Sequence, residues 1–364
     1  MTEEATAAAA SAETAAASAE AAAGVSYDVV PEGIPPAECR HLVIMLHGLG
    51  GNSGDWHAVL AAIRTNWDCG ASVMVVRTNL AARDIAAGIE HAARLVLQAV
   101  KEAVETTFPK DHDLECSLVT LSFGGLYGRY LVKLMVDEGL LCGGAPTPSG
   151  RRRIRASTFI SIASPHLGVR FSKTGSFIGG LFGGICHGAL NFFVGKALEE
   201  LLLEDERPHM LCRLTQGEFI SALSIFRKRA CYANVSGDIQ VPFFTAAIEY
   251  NSPFEHCSDS DLGPRLKGCE SIIDTGAWTN TTWPDRDMAY FAGDPKKDEL
   301  AAIRDNLHAV GWSKFCCVLP TLPNAHNAIV GNCLVKSQGL DVADHIAKTV
   351  LEHHLEALEV FVAS

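Results

Sequence analysis

The sequence has no C-x-x-C cysteine pairs, no excess of positive charge and no recognisable leader pattern, and each absence argues against a class of protein. Its 12 cysteines form no C-x-x-C pair and show no finger-type spacing with histidine. We therefore interpret them as reduced intracellular thiols, mostly in the core, and expect no metal site. The net charge of −12 argues against a nucleic-acid partner, because phosphate neutralisation needs clustered Lys and Arg. The composition favours a cytoplasmic protein.

The first 24 residues are almost entirely Ala, Glu, Ser and Thr. They have neither the cationic start and apolar centre of a signal peptide nor the arginines of a transit peptide, so 1–24 is predicted to be a disordered tail. The whole chain has 364 residues, 48% of them hydrophobic, which suffices for one large α/β domain or two smaller ones. We favour one domain over 25–364.

Apolar strands alternate with amphipathic helices along the first half of the chain. His41–Leu46 is a continuous apolar run, typical of a strand buried on both faces of a parallel sheet. Ile85–Glu105 has apolar residues at helical spacing, and a later strand, Ser117–Leu121, precedes another helical pattern over Gly125–Leu140. This alternation predicts an α/β fold with a mostly parallel sheet and helices on both faces. Functional groups gather where such strands end.

A strand turns sharply into a helix at Ser122. Gly124 and Gly125 follow closely, and a turn this tight needs residues without a Cβ atom. Such a turn lifts a serine hydroxyl clear of the sheet, above a helix N-terminus that favours negative charge. The sequence departs from G-x-S-x-G because Thr120 stands at the first glycine, and serine followed by glycines is also common in ordinary loops. The turn alone makes Ser122 a candidate nucleophile.

A glycine-rich turn, His47–Trp56, follows the first buried strand. It could cradle a phosphate, offer a backbone N–H to an oxyanion, or simply turn the chain tightly. A dinucleotide site needs G-x-G-x-x-G and an acid after the next strand, whereas this chain has Ser53 at the third glycine and Arg77 after the strand Ser72–Val76. Since no G-K-[ST] follows either, nucleotide binding is the weakest functional interpretation, and we expect no cofactor.

Two later segments interrupt the alternation. The run from Ser176 to Gly195 carries no Lys, Arg, Asp or Glu, but six glycines dilute it. We therefore favour an apolar flap over a substrate cleft, touching a membrane surface, rather than a spanning helix. It belongs to a predicted lid-like insertion at about 171–200. Residues 251–311 are polar and rich in turns, and we predict a cap or insertion there.

An acid and a histidine follow two later predicted strands. Asp238 comes after Cys231–Val235, where it can orient an imidazole or bond its own turn. His326 lies in the loop after Phe315–Leu319. Nucleophilic acyl transfer needs a serine, a base and an acid that orients the base, and in α/β-hydrolases these follow the order Ser, Asp, His. Ser122, Asp238 and His326 stand in that order.

Five stretches of the chain resemble a known family. They read VIMLHGLGGNSGDW, LSFGGLYGRY, ISIASPHLGVR, FRKRACYANVSGDIQVPFFTAAI and AHNAIV. Together they resemble the DUF676 lipase-like putative serine esterase family within the α/β-hydrolase superfamily. The resemblance extends from Leu42 to about Asn332 and implies an α/β-hydrolase fold with a lid or cap insertion. Family members usually carry Gly-His before the serine, where this chain has Thr120-Leu121.

The resemblance also implies roles for individual residues. Ser122 would be the nucleophile, His326 the base and Asp238 the orienting acid. The backbone N–H groups of Leu49 and Phe123 would form the oxyanion hole. Such a protein would be a serine hydrolase that cleaves carboxylic esters of lipids through an acyl-enzyme, without cofactor or metal, in contact with a membrane or lipid-droplet surface.

One rival hypothesis keeps the fold without the chemistry. A non-catalytic lipid-binding or membrane-adaptor protein would bind similar lipids with an inactive triad. It would hold the His326 ring too far from the Ser122 hydroxyl for a hydrogen bond. The geometry of these two side chains therefore bears on both hypotheses.

Overall fold

The described part of the chain comes from a computed structural model. It comprises residues 25–66, 72–109, 113–143, 153–169, 187–250, 252–254, 257, 262–275, 294–319, 325–332 and 338–363, with backbone only for 153, 187–194 and 353–363. The predicted tail, much of the predicted lid-like insertion and part of the predicted polar cap lie outside these ranges.

Ten strands within the described ranges form one sheet in the order β1-β3-β2-β4-β6-β7-β10-β9-β8, with β5 beside β6. The strands are β1 (Val25–Val30), β2 (His41–Leu46), β3 (Val73–Thr78), β4 (Asp113–Leu121), β5 (Leu141–Cys142), β6 (Arg153–Ile162), β7 (Lys228–Asn234), β8 (Arg265–Leu266), β9 (Cys269–Ile273) and β10 (Ser313–Cys317). The central strands from β3 to β10 are parallel, whereas β1 and β9 pair antiparallel at the two sides. The carboxyl ends of β2, β4, β7 and β10 therefore meet at one edge of the sheet.

Helices lie between most of these strands. They are α1 (His57–Thr65), α2 (Ala82–Ala86), α3 (Ile89–Thr107), α4 (Gly124–Asp137), α5 (His187–Leu202), α6 (Met210–Arg213), α7 (Gly217–Ser224), α8 (Phe243–Ala246), α9 (Lys297–Ala309), α10 (Ala325–Ala328) and α11 (Leu340–Ala363). Short 3-10 turns occupy Pro36–Glu38 and Ser53–Trp56. Helix α5 is broken at Gly195, whose φ is +50°. No helix in the described ranges is long and apolar enough to cross a membrane.

Side chains alternate across the sheet, and each face is covered by helices. In β2, Leu42 and Ile44 join a buried cluster with residues of α3, α4 and α9, whereas Val43 and Met45 join a second cluster with residues of α1 and α11. Every residue of β2 is buried, which explains why the strand reads as one apolar run. The predicted α/β fold with helices on both faces is confirmed.

Parts of the predicted polar cap contribute to the main fold. Strand β9 pairs antiparallel with β10, and α9 places Leu300, Ile303 and Leu307 in the same buried cluster as α3 and α4. The predicted division into a lid and a cap stays a prediction.

A buried carboxylate fastens α5 to the start of α3. Glu200 is fully buried, and its Oε2 accepts a hydrogen bond from the Ile89 backbone N–H at 2.8 Å. Its second oxygen, Oε1, has no hydrogen-bond partner among the described residues. Burial raises the pKa of Glu200 to about 7, and the bond from Ile89 offsets this only in part. The carboxylate thus caps a helix N-terminus at a cost in desolvation.

The first prediction concerns stability as a function of pH. A carboxyl group whose pKa is higher in the folded state stabilises that state when protonated, so this contribution is lost as pH rises from about 4.5 through about 7. Glu200→Gln keeps an acceptor for the Ile89 N–H without the charge. We expect it to exceed wild type in free energy of unfolding by about 1–3 kcal/mol at pH 8, and to match it near pH 4.5.

Urea denaturation at both pH values measures this difference. Glu199→Gln serves as the matched control, because Glu199 is exposed on the same helix and its replacement should change little at either pH. A gain of equal size at both pH values would contradict the assigned cause.

Candidate active site

Ser122 occupies a strained turn between β4 and α4. Its φ is +55°, a conformation that costs a residue with a Cβ atom roughly 1–2 kcal/mol. Its backbone N–H donates to Ile162 O at 2.8 Å, which ties the turn to the end of β6. The neighbouring structure therefore holds the serine in a conformation that it would not adopt alone.

Two glycines allow the backbone to pack closely around this serine. A Cβ atom at Gly124 would overlap the carbonyl oxygen of Leu46, at the end of β2. A Cβ atom at Gly48 would lie 2.6 Å from Ser122 Cβ and 3.1 Å from Ser122 Oγ. The glycine-rich turn after β2 and the serine turn after β4 are thus in direct contact.

Thr120, which stands at the position of the missing motif glycine, fits beneath the turn. It is fully buried, and its hydroxyl donates to Ile160 O at 2.9 Å. A Cβ atom at Gly128 of α4 would lie 3.0 Å from Thr120 Cγ2 and 3.1 Å from Leu46 Cδ1. The threonine is accommodated because α4 presents a glycine to its methyl group.

His47 shapes the glycine-rich turn through both ring nitrogens. The Leu80 N–H lies 3.0 Å from Nε2, so Nε2 is the acceptor and the proton is on Nδ1, which donates to Gly48 O at 2.9 Å. Burial lowers the pKa of His47, which favours this neutral form. The Tyr127 hydroxyl donates to His47 O at 2.6 Å and so fastens the turn to α4.

Asp55 connects the glycine-rich turn to the segment after α10. Its Oδ2 accepts from the Asn52 N–H at 3.0 Å in a capping box, and its Oδ1 accepts from Asn332 Nδ2 at 2.9 Å. Since His326 lies in α10, this bridge joins the turn after β2 to the segment that carries the histidine.

The two predicted oxyanion donors point to no other acceptor. Neither the Leu49 N–H nor the Phe123 N–H donates a hydrogen bond to another described residue. Phe123 directly precedes α4, where unpaired N–H groups collect at the helix N-terminus. Both N–H groups therefore lack an acceptor within the described part of the chain.

Asp238 and His326 lie in direct contact although 88 residues separate them. His326 Nδ1 is 2.9 Å from Asp238 Oδ2 and 3.2 Å from Oδ1. The two side chains are 1% and 4% exposed for Asp238 and His326. A carboxylate accepts only, so Nδ1 carries the proton and Nε2 is left as the basic nitrogen. The structure thus brings together two of the three side chains that the chain order predicted.

Asp238 also bonds its own turn. Its Oδ1 accepts from the Gln240 N–H at 3.0 Å and the Val241 N–H at 2.8 Å, and its Oδ2 accepts from Asn234 Nδ2 at 2.9 Å. Burial alone would raise the pKa of Asp238, but the charge of His326 and these hydrogen bonds lower it below its ordinary value. Asp238 is therefore both a turn aspartate and the hydrogen-bond partner of the imidazole.

Ser122, the third predicted side chain, is not hydrogen-bonded to the Asp238–His326 pair. No hydrogen bond links Ser122 Oγ to His326 among the bonds of the described residues. Catalytic hydrogen bonds are often long before substrate binds.

Within the described ranges, no group of three or more His, Cys, Asp or Glu side chains could hold a metal ion.

Three residues that support the site were not predicted from the sequence: Asn234, Tyr127 and Asn332. Tyr127 lies on the buried face of a helix, where an aromatic residue is expected for packing alone. Asn234 and Asn332 make contacts across long sequence separations that no local pattern signals. Only the Asn52–Asp55 capping box had a readable signal, an Asn followed by an acid three residues later.

The topology and the site together define a class of protein. A mostly parallel sheet with helices on both faces, and a serine at a strained strand-to-helix turn, is an α/β-hydrolase fold. Residues 36–255 match the family described as Putative serine esterase (DUF676). The chain belongs to that family, and its class is that of the serine hydrolases.

Distant likenesses to solved structures accompany this assignment. A Rhizomucor miehei esterase is similar over 90% of this chain and 78% of its own, with 11% identity and a TM-score of 0.45. Carboxyl esterase 2 from Tuber melanosporum is similar over 90% of this chain and 83% of its own, with 11% identity and a TM-score of 0.42. No curated protein sequence matches the chain. Likenesses this distant assign neither a substrate nor a residue's role.

The second prediction tests the fit of Thr120 against α4. Alanine usually stabilises a helix by about 1 kcal/mol relative to glycine, but a methyl group at position 128 would press on Thr120 Cγ2. We expect Gly128→Ala to lower the free energy of unfolding by about 1–2 kcal/mol. In Thr120→Ser, which keeps the hydroxyl and removes Cγ2, the same change should cost less or become stabilising.

A double-mutant cycle measured by urea denaturation gives the coupling between the two positions. Additive effects of the two substitutions would show that the methyl group of Thr120 does not limit the space at position 128.

Proposed function

We propose that this chain is a serine hydrolase that cleaves carboxylic esters of lipids with Ser122 as nucleophile, His326 as base and Asp238 as orienting acid. The observation that carries the proposal is the conformation of Ser122. A serine held at φ +55° against Gly48, where a parallel strand turns into a helix, carries backbone strain of the kind that clusters at active sites. Membership of a serine esterase family supports the same reaction class.

The proposed reaction proceeds in two halves. His326 Nε2 takes the proton of Ser122 Oγ while the oxygen attacks the ester carbonyl, and the imidazolium then gives that proton to the leaving alcohol. Water, deprotonated by the same nitrogen, attacks the acyl-enzyme. The imidazolium returns this proton to Ser122 Oγ as the bond between Oγ and the acyl carbon breaks, which releases the carboxylic acid and regenerates the serine. Asp238 keeps the proton on Nδ1 throughout and stabilises the imidazolium.

The oxyanion would be stabilised by the Leu49 and Phe123 N–H groups. Their lack of another acceptor among the described residues supports this role. One such donor contributes about 3 kcal/mol to lowering the barrier, so a small displacement of the glycine-rich turn would slow the reaction. The bonds that fix this turn, from Tyr127 to His47 and from Asn332 to Asp55, support a preorganised site.

The proposed substrate class is a lipid ester, met in the cytoplasm at a membrane or lipid-droplet surface. The support is the uncharged run from Ser176 to Gly195, of which only the backbone from 187 and the residue Gly195 lie within the described ranges. Hydrolysis of p-nitrophenyl butyrate and palmitate, with flotation on phosphatidylcholine vesicles, tests this class. Faster cleavage of the long chain and vesicle binding are expected.

The rival function is lipid binding without catalysis. The missing hydrogen bond between Ser122 Oγ and His326 is the observation that favours it. A non-catalytic protein would float with the vesicles but would neither hydrolyse an ester nor react with a serine-directed phosphonate.

The third prediction separates the two functions. A fluorophosphonate probe should label the wild-type chain and fail to label Ser122→Ala, because only an activated serine reacts at an appreciable rate. His326→Ala should lower ester hydrolysis by at least about 10³-fold. Mass spectrometry of the labelled peptide locates the modified residue.

Ser164→Ala is the matched control, since Ser164 is a fully buried serine just beyond β6 with no proposed part in catalysis. It should keep its labelling. Labelling that persists in Ser122→Ala would remove Ser122 from its role, and a wild-type chain that is never labelled would favour the rival.

A further inference from the structure

Asn234 links Asp238, the proposed acid, to the backbone beside His326, the proposed base. It is the last residue of β7 and is 1% exposed. Its Nδ2 donates to Asp238 Oδ2 at 2.9 Å and to the backbone oxygen of Ala325 at 3.1 Å. Ala325 directly precedes His326 in the chain. One amide group therefore contacts the loop of the acid and the loop of the base.

The orientation of this amide follows from its two neighbours. A carboxylate oxygen and a backbone carbonyl oxygen are both acceptors, so only the NH₂ end of the side chain can face them. The other end, Asn234 Oδ1, has no hydrogen-bond partner among the described residues. An amide with two N–H groups meets both acceptors, whereas a carboxylate of the same shape would meet neither.

We propose that Asn234 is a positioning residue for the reaction, which rests on the function proposed above. By donating to Oδ2, the oxygen nearest to His326 Nδ1, it fixes the rotation of the Asp238 carboxylate, whose terminal torsion is intrinsically broad. By donating to Ala325 O, it holds the backbone beside His326 at a set distance from the same carboxylate. It sets the imidazole angle without touching the substrate.

Two substitutions remove this link in different ways. Asn234→Asp keeps the shape of the side chain but places a third acceptor against Asp238 and Ala325. Asn234→Ala removes both donors and adds no charge. In either variant the Asp238 carboxylate loses a charge-assisted hydrogen bond and the His326 loop loses its tie to β7.

Asn66→Ala is the matched control. Asn66 Nδ2 also donates to a carboxylate and a backbone carbonyl, Asp344 Oδ1 at 2.5 Å and Ala62 O at 2.9 Å. That bridge joins the end of α1 to α11 and contacts no residue of the proposed triad. Asn66 is half-buried, so the control matches the chemistry of removing the amide without the link to His326.

The fourth prediction is tested by measuring the rate constant of fluorophosphonate labelling between pH 5 and 9. The melting temperature of each variant is measured alongside it. We expect both Asn234 variants to label about 10- to 100-fold more slowly than wild type, since a hydrogen bond to a charged group is lost. The acidic limb of the pH profile should move to higher pH, most in Asn234→Asp, because extra negative charge keeps the imidazole protonated. Asn66→Ala should keep the wild-type rate and profile even where it melts earlier.

Three results would overturn the inference. If wild type is labelled and the Asn234 variants keep its rate and pH profile, or lose rate only in proportion to unfolding as Asn66→Ala does, the residue is structural alone. Loss of the folded state in both variants leads to the same conclusion. If wild type itself is not labelled, the proposed function fails and the positioning role fails with it.

Discussion

The close approach of the end of β2 to the start of α4 is the constraint on which the rest of the site depends. No side chain fits between these elements, since a Cβ atom at Gly124 would overlap Leu46 O and one at Gly48 would press on Ser122. The serine turn and the glycine-rich turn therefore form one unit, in which the strain at Ser122 is offset by contacts on both sides. The two backbone N–H groups offered as oxyanion donors flank this contact.

Buried carboxylates connect parts of the chain that are remote in sequence. Asp238 bonds His326 across 88 positions, and Asp55 bonds Asn332 across 277 positions. Each carboxylate also accepts at least one backbone N–H group of its own turn, so it is bonded both locally and to its distant partner. Charge-assisted hydrogen bonds of this kind are strong when desolvated. They set the relative positions of the loops after β2, β7 and β10.

The sequence predicted the fold well because the fold depends on local patterns. The apolar run His41–Leu46 coincides with β2, since a strand buried on both faces has no polar positions. The contact between Asp238 and His326 was predictable because parallel strands end at one edge, so residues that follow them converge. The helix predicted from Ile85 begins instead at Ile89, because Gly88 at φ +107° interrupts it.

The details that the sequence did not reveal are tertiary. Nothing local distinguishes Asn234 from any other asparagine at the end of a strand, and its two acceptors become neighbours only when β7 and the loop after β10 pack together. The same holds for β9, which pairs antiparallel beside β10 within a region predicted as an insertion. Short polar segments carry no periodicity from which their place in a sheet can be deduced.

Thr120 lies beneath the serine turn because Gly128, about one helical turn into α4, faces its methyl group. A larger residue at position 120 requires a smaller residue at position 128. The two positions should therefore vary together among related chains. A search for such enzymes that demands glycine before the serine would discard this arrangement. A search that requires a small residue at either position 120 or position 128 would retain it.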